Sequence, residues 1–72
     1  MLVLVTYDIG NARALRRTAR LLNTYGTRVQ KSVFECHVTA TQFRHLVRKL
    51  HEERSKAPTD TAYSIRCYRL GA

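Results

Sequence analysis

The amino-acid sequence predicts an α+β fold in which four strands and two helices follow one another in the order βαββαβ. Three segments, residues 2–7, 26–38 and 63–70, are rich in β-branched, aromatic and other apolar residues, as β-strands are. The two segments between them repeat apolar residues every three to four positions, as amphipathic helices do. Since no repeat or linker interrupts the chain, these elements are expected to form a single domain over residues 1–72.

A change of period at Asn11 predicts the first strand and the first helix. Residues Leu2 to Tyr7 form a nearly continuous apolar and β-branched run, which indicates a central strand covered on at least one face. From Asn11, which can cap a helix, apolar residues recur at helical spacing. We expect Gly26 to end this helix in the left-handed conformation that glycine adopts readily. The exposed side of the helix carries Arg13, Arg16, Arg17 and Arg20.

Residues 26–38 predict two strands that form a hairpin, because their β-branched and aromatic residues alternate around a polar break at residues 30–32. In a strand, every second side chain points to the same face of the sheet. In the second strand of this hairpin, which is the third strand of the chain, Phe34, Cys36 and Val38 share one face, and this face is interpreted as core.

The second helix and the fourth strand complete the pattern. Thr39 and Gln42 fit a capping box, and the apolar face that follows consists of Phe43, Leu46, Val47 and Leu50. His45 and His51 are six residues apart, point to different sides of a helix, and are interpreted as solvated surface. Residues 63–70 alternate as a strand does.

This element order predicts the ferredoxin-like arrangement, in which both helices pack on one face of a four-stranded antiparallel sheet. Two right-handed crossovers would set the strand order 4-1-3-2, with the apolar first strand at the centre. Cys36 and Cys67 would then lie about 10 Å apart, beyond the reach of a disulfide. Because neither has metal-ligand spacing, each is interpreted as a small buried hydrophobic residue.

Composition points to a polyanionic partner. The 72 residues include 13 Lys and Arg but 5 Asp and Glu, for a net charge of +8. A surface this basic is typical of proteins that bind nucleic acid. A chain this short can bury only a small core, so help from a partner subunit is expected. The short apolar start lacks the basic flank of a signal peptide, and no segment is long enough to span a membrane, so the cytoplasm is expected.

Asp8 is the candidate catalytic and metal-binding residue, because it lies at the end of the apolar first strand, just before the arginine-rich helix. A carboxylate there can be a plain cap or turn residue. Alternatively, phosphates drawn to the helix arginines would arrive near Asp8 and a metal that it holds. The other carboxylates are too scattered to form a two-metal cluster, so a catalytic metal would need a second copy of Asp8 across a dimer axis.

The opening V-T-Y-D, the basic helix and especially the run YGTRVQKSVFE resemble the CRISPR-associated protein 2 family over nearly the whole chain. The resemblance implies a small Mg²⁺- or Mn²⁺-dependent endonuclease that also serves in spacer acquisition. It implies Asp8 as metal ligand, with Tyr7 beside it in the catalytic motif. It implies phosphate contacts by Arg13, Arg16, Arg17 and Arg28, with Arg20 and Phe34 as secondary candidates. Judged from the residues alone, packing is the favoured role of both Tyr7 and Phe34.

The resemblance leaves three functions open. One is an endonuclease that cleaves RNA or DNA in a symmetric homodimer. The second is a non-catalytic DNA-binding adaptor dimer that bridges copies of a CRISPR integrase subunit, and the third is a toxin-like ribonuclease. Members of the family usually continue into a fifth strand that crosses onto the partner's sheet, whereas this sequence reaches only residue 72. Residues 63–70 are therefore expected to supply the edge of the dimer.

Overall fold

The computed structural model describes residues 1–71, over which the chain forms four β-strands and two α-helices. In chain order they are β1 (Leu2–Ile9), α1 (Ala12–Tyr25), β2 (Thr27–Gln30), β3 (Val33–His37), α2 (Ala40–Lys56) and β4 (Tyr63–Leu70). The strands pair antiparallel in the order β2-β3-β1-β4, which is the predicted order, with β1 inside the sheet. The ferredoxin-like topology is thereby confirmed. Neither helix is long and apolar enough to cross a membrane.

Helices cover one face of the sheet and leave the other face open. Burial alternates along β1, where Val3, Val5, Tyr7 and Ile9 are buried and Asp8 is exposed. The core on the covered face also takes in Leu22 of α1, Phe34 and Cys36 of β3, and Leu46 and Leu50 of α2. β1 is therefore covered on one face only, and the residues between its buried positions, Asp8 among them, belong to the open face.

The predicted local signals form the expected hydrogen bonds. The Oδ1 of Asn11 accepts a hydrogen bond of 2.9 Å from the amide of Ala14 and caps α1. At the start of α2 the Thr39 hydroxyl accepts from the Gln42 amide at 3.1 Å, and the Gln42 side chain accepts from the Thr39 amide at 2.8 Å. The hairpin turns at residues 31–32, where Ser32 has a positive φ of 65°.

Gly26 ends α1, but the expected left-handed conformation is wrong. Its φ of −164° and ψ of −165° are extended values that any residue adopts. Glycine is needed there because the chain passes close to β3. A Cβ on Gly26 would clash with the carbonyl oxygen of Glu35 and lie 2.9 Å from the Cα of Cys36.

The two cysteines lie in different surroundings. Cys36 is fully buried, as predicted, and burial raises the pKa of its thiol. Cys67 is exposed, so the prediction of burial is wrong for this residue. It belongs to the covered face, opposite Val5, but the helices do not cover the outer strand at this residue. An open groove remains between α2 and β4, lined in part by Val47, Leu50, Tyr63, Ile65 and Cys67.

A hydrogen bond inside the covered face ties α1 to β4. The Thr18 hydroxyl, which is fully buried, lies 2.7 Å from the hydroxyl of Tyr63. Desolvation raises the pKa of Tyr63 above its ordinary value of 10.0, and it outweighs the opposing effect of this hydrogen bond. The bond therefore fixes the edge strand against the first helix and satisfies a polar group that would otherwise be buried alone.

Candidate active site and nucleic-acid interface

The carboxylate of Asp8 lies on the open face of the sheet, near the end of β1. Asp8 is exposed, and Asn11 rather than Asp8 caps the following helix. Asp8 forms no ion pair with any other residue that the structure describes. An exposed carboxylate with neither a capping role nor a counter-ion is available to bind a ligand.

On one side of β1, the neighbours of Asp8 come from β4. In the register of the two strands, Asp8 lies opposite Ser64 and Thr6 lies opposite Arg66. A shallow cleft at this place is lined by Thr6, Tyr7, Asp8, Ser64, Arg66 and Tyr68. Ser64 and Arg66 are not among the site residues predicted from the sequence. The signal was present, however, because the alternation of residues 63–70 sets them on one face of a strand adjacent to β1.

Tyr7 and Phe34 lie together on the covered face, on the other side of the sheet from Asp8. They are 6% and 2% exposed, and their ring centroids are 6.1 Å apart. This geometry is that of a packed aromatic pair in the core. A direct role for either ring in chemistry at Asp8 stays a prediction, while their packing supports the strand that presents the carboxylate.

The four arginines of α1 are exposed, as predicted. They lie on the outer side of α1, whose inner side packs on the covered face through Ala14, Thr18 and Leu22. Asp8, in contrast, is on the open face of β1. The expectation that phosphates drawn to α1 would arrive near Asp8 stays a prediction. Closeness in sequence does not place two residues on one surface, because successive residues of a strand point to opposite faces.

Arg17 differs from the other arginines of α1 because it has a counter-ion on α2. Its Nε lies 2.9 Å from Oε1 of Glu53, whose Oε2 lies 3.2 Å from Nζ of Lys56. Glu53 is only 16% exposed in its side chain, against 42% for Arg17. The carboxylate thus holds two cations of the helix layer and reduces the charge that both offer to a phosphate.

Arg28, the remaining predicted phosphate contact, lies in the edge strand β2 opposite Phe34 and is exposed. Further cations are exposed on α2, namely Arg44, Arg48 and Lys49. The helix layer and the β2 edge therefore present a broad basic surface, while Asp8 faces away from it. The structure thus places Asp8 and the predicted arginines on two different surfaces, while Tyr7 and Phe34 are buried in the core.

The oxygen atoms around Asp8 are of the type that binds a hard cation, but they are too few to complete its coordination shell. Thr6, Asp8 and Ser64 offer only oxygen atoms, which are the ligands that Mg²⁺ and Mn²⁺ prefer. Over residues 1–71, however, no three His, Cys, Asp or Glu side chains are grouped so that they could hold a metal ion. A six-coordinate cation held by one carboxylate would need further ligands, which water, phosphate or a second copy of Asp8 can supply.

Comparisons with known proteins agree on one family. The model of the family described as CRISPR associated protein Cas2 matches residues 1–72. The chain is 45% identical to the CRISPR-associated endonuclease Cas2 of Halalkalibacterium halodurans over 99% of this chain and 75% of that protein. It is 43% identical to the CRISPR-associated endoribonuclease Cas2 of Nitratidesulfovibrio vulgaris over 100% of this chain and 72% of that protein. The crystal structure of Streptococcus pyogenes Cas2 at pH 6.5 superposes with a TM-score of 0.77 at 43% identity, covering 99% of this chain and 87% of that one.

Proposed function

Because this chain belongs to the CRISPR associated protein Cas2 family, we propose that it is a nucleic-acid-binding endonuclease of CRISPR spacer acquisition in the cytoplasm. It cleaves phosphodiester bonds of RNA or DNA. The observation that carries this proposal is the exposed Asp8, which lines a cleft together with Ser64 and Arg66. Relatives that are 45% and 43% identical are named endonuclease and endoribonuclease, which supports the reaction class.

The proposed active species is a symmetric homodimer in which the two Asp8 side chains share one Mg²⁺ or Mn²⁺. The open face of the sheet supports this arrangement, because it has an apolar part that would be buried against a second copy. Leu2 and Leu4 are half-buried there, while Tyr68 and Leu70 are 46% and 42% exposed. A dimer closed through this face brings the carboxylates of two chains to one axis and supplies the second anionic ligand.

Each group then has a separate task. Asp8 would hold the cation. When bound, the cation supplies Lewis acidity toward the phosphate and neutralises charge that develops during cleavage. The exposed arginines Arg13, Arg16 and Arg28 bind more distant phosphates and set the position of the strand.

Replacement of Asp8 by asparagine tests the catalytic assignment. A neutral amide is a poor ligand for a hard cation, so Asp8→Asn should abolish Mg²⁺- or Mn²⁺-dependent cleavage of labelled RNA and DNA. Stability should change little, because Asp8 is exposed and caps no helix. The matched control is Asp60→Asn, which removes the same charge from an exposed loop position. Cleavage by Asp8→Asn at the wild-type rate, in protein free of contaminating nuclease, would reject the assignment.

A second function, that of a non-catalytic adaptor, is favoured by the separation of the two surfaces. A basic dimer that binds duplex DNA through its outward arginines and bridges copies of a CRISPR integrase subunit needs no chemistry at Asp8. Under this alternative, wild-type protein binds DNA but cleaves nothing with either metal. Integration assays with the integrase subunit would then lose activity on mutation of Arg16 and keep it on mutation of Asp8.

A further inference from the structure

We propose that Arg66 of β4 is the residue that contacts the phosphate lying against Asp8, and that no arginine of α1 does so within one chain. This inference deepens the proposed function, because it rests on Asp8 facing a phosphodiester. It assigns to the cleft a phosphate-binding cation that the family motif in β1, α1 and β2 does not include.

The strand register places Arg66 beside Asp8. Thr6 and Asp8 are on the same face of β1, and their partners in β4 are Arg66 and Ser64 respectively. Arg66 is therefore a diagonal neighbour of Asp8 on the open face. Such neighbours have Cα atoms about 7–8 Å apart, a distance that a long side chain spans. The cleft lined by Asp8 and Arg66 is also lined by the Ser64 hydroxyl, which can donate to a phosphate oxygen.

In the single chain, Arg66 has no counter-ion among the described residues. It is exposed, and it takes part in none of the ion pairs formed between described residues. Arg17, in contrast, is already paired with Glu53. A guanidinium offers parallel donors that fit two phosphate oxygens, so an unpaired arginine beside an oxygen-rich cleft is suited to a phosphodiester.

Arg66 is the one basic residue among the described residues that line the cleft, and none of the arginines predicted to contact phosphate lines it. The arginines of α1 belong to a helix that packs on the covered face, whereas the cleft is on the open face. Arg28 is in β2, two strand spacings from β1, or about 10 Å, and its partner Phe34 is on the covered face. Arg69 is in the same strand as Arg66 but lies opposite the buried Val3, so it belongs to the covered face as well.

If Asp8 and Arg66 act on the same phosphate, the effects of substituting them on binding affinity should depend on each other. Without metal, Asp8 repels a phosphate in the cleft while Arg66 attracts it. Removal of the Asp8 charge should then strengthen binding only while Arg66 holds the phosphate in place. Two residues that contact the same group give non-additive effects, whereas residues that act on separate phosphates give additive ones.

The experiment measures the binding of a short labelled oligonucleotide in EDTA across a salt series, by fluorescence anisotropy. The variants are Arg66→Ala, Arg66→Lys, Asp8→Asn and the double variant Asp8→Asn/Arg66→Ala. We expect Arg66→Ala to weaken binding about tenfold. The same variant should lower the salt slope, which is the steepness with which log K falls as log salt concentration rises, by about one. The affinity of Arg66→Lys should lie between that of Arg66→Ala and that of the wild type. Asp8→Asn should tighten binding about threefold in the wild-type background and have no effect in the Arg66→Ala background. Arg69→Ala is the matched control on the same strand and should bind as wild type does. Circular dichroism and sedimentation show whether each variant keeps its fold and oligomeric state.

The outcomes separate this inference from the proposed function. Additive effects of Asp8→Asn and Arg66→Ala, or equal effects of Arg66→Ala and Arg69→Ala, overturn the assignment of Arg66 even if the wild type cleaves with Mn²⁺. Coupling in EDTA with no cleavage by the wild type supports Arg66 and rejects the nuclease. Absence of any oligonucleotide binding by the wild type at low salt overturns both.

Discussion

Replacement of Glu53 by glutamine should make this protein bind nucleic acid more tightly while making it less stable. In the wild type, Glu53 accepts from Arg17 at 2.9 Å and from Lys56 at 3.2 Å, so one carboxylate offsets two cations of the helix layer. Glutamine has nearly the same shape and no charge. The substitution therefore releases both cations for phosphate contacts without opening a cavity.

The geometry sets the size of both effects. If a phosphate binds about 6 Å from Glu53 in water, the repulsion is about 0.7 kcal/mol, and its loss tightens Kd roughly threefold. Two released cations steepen the dependence of log K on log salt by about one to two for duplex DNA. The lost ion pairs involve side chains that are 42% and 51% exposed, so solvent screens them and they stabilise the fold by only about 0.5 kcal/mol each.

The assay is anisotropy of a labelled duplex over a salt series, together with urea denaturation of each variant. The matched control is Glu52→Gln, which removes the same charge one residue away, where the side chain is 58% exposed and lies 3.9 Å from Arg48. In the wild-type background, Arg17→Ala should lower the salt slope less than Arg16→Ala does. In the Glu53→Gln background, the two substitutions should lower it equally. Equal slopes for Glu53→Gln and Glu52→Gln would refute the claim that Glu53 restrains Arg17.

Two further predictions concern stability. Gly26→Ala should lower the free energy of unfolding by about 3 kcal/mol or more, because its Cβ meets the backbone of β3. Gly10→Ala, whose Cβ would make an ordinary 3.4 Å contact with Ala62, should stay close to wild type in the same urea titration. Because the folded state raises the pKa of Tyr63, its contribution to stability is complete below pH 10.0 and is lost as the pH rises above that value. Tyr63→Phe should remove this part of the alkaline loss while costing about 1 kcal/mol at neutral pH through the lost bond to Thr18, and an alkaline loss identical to that of the wild type would contradict the prediction.

Much of the fold is determined by short-range patterns in the sequence. The side chains of Asn11 and Thr39 each accept a hydrogen bond from the amide three residues later. Because this interaction is local, the sequence alone locates the start of both helices. The alternation of residues 63–70 predicts β4 with its bounds, Tyr63–Leu70, because side-chain direction in a strand depends only on parity. The central place of β1 follows from its apolar run and the handedness of the crossovers, and the pairing confirms it.

Tertiary structure decides the features that depend on which surfaces meet. Gly26 is required by the close approach of β3, a contact that no local rule for helix ends contains. Cys67 is exposed because the helices do not cover this part of the edge strand, although its apolar alternation matches that of a buried strand. The site itself shows the same limit, since Asp8 and the α1 arginines are neighbours along the chain but lie on opposite layers. The cleft beside Asp8 is instead completed by Arg66, which is 58 residues later in sequence and adjacent only through the register of β1 with β4. Local interactions act over a few residues and can be read from the sequence, whereas a binding site depends on the packing of distant segments.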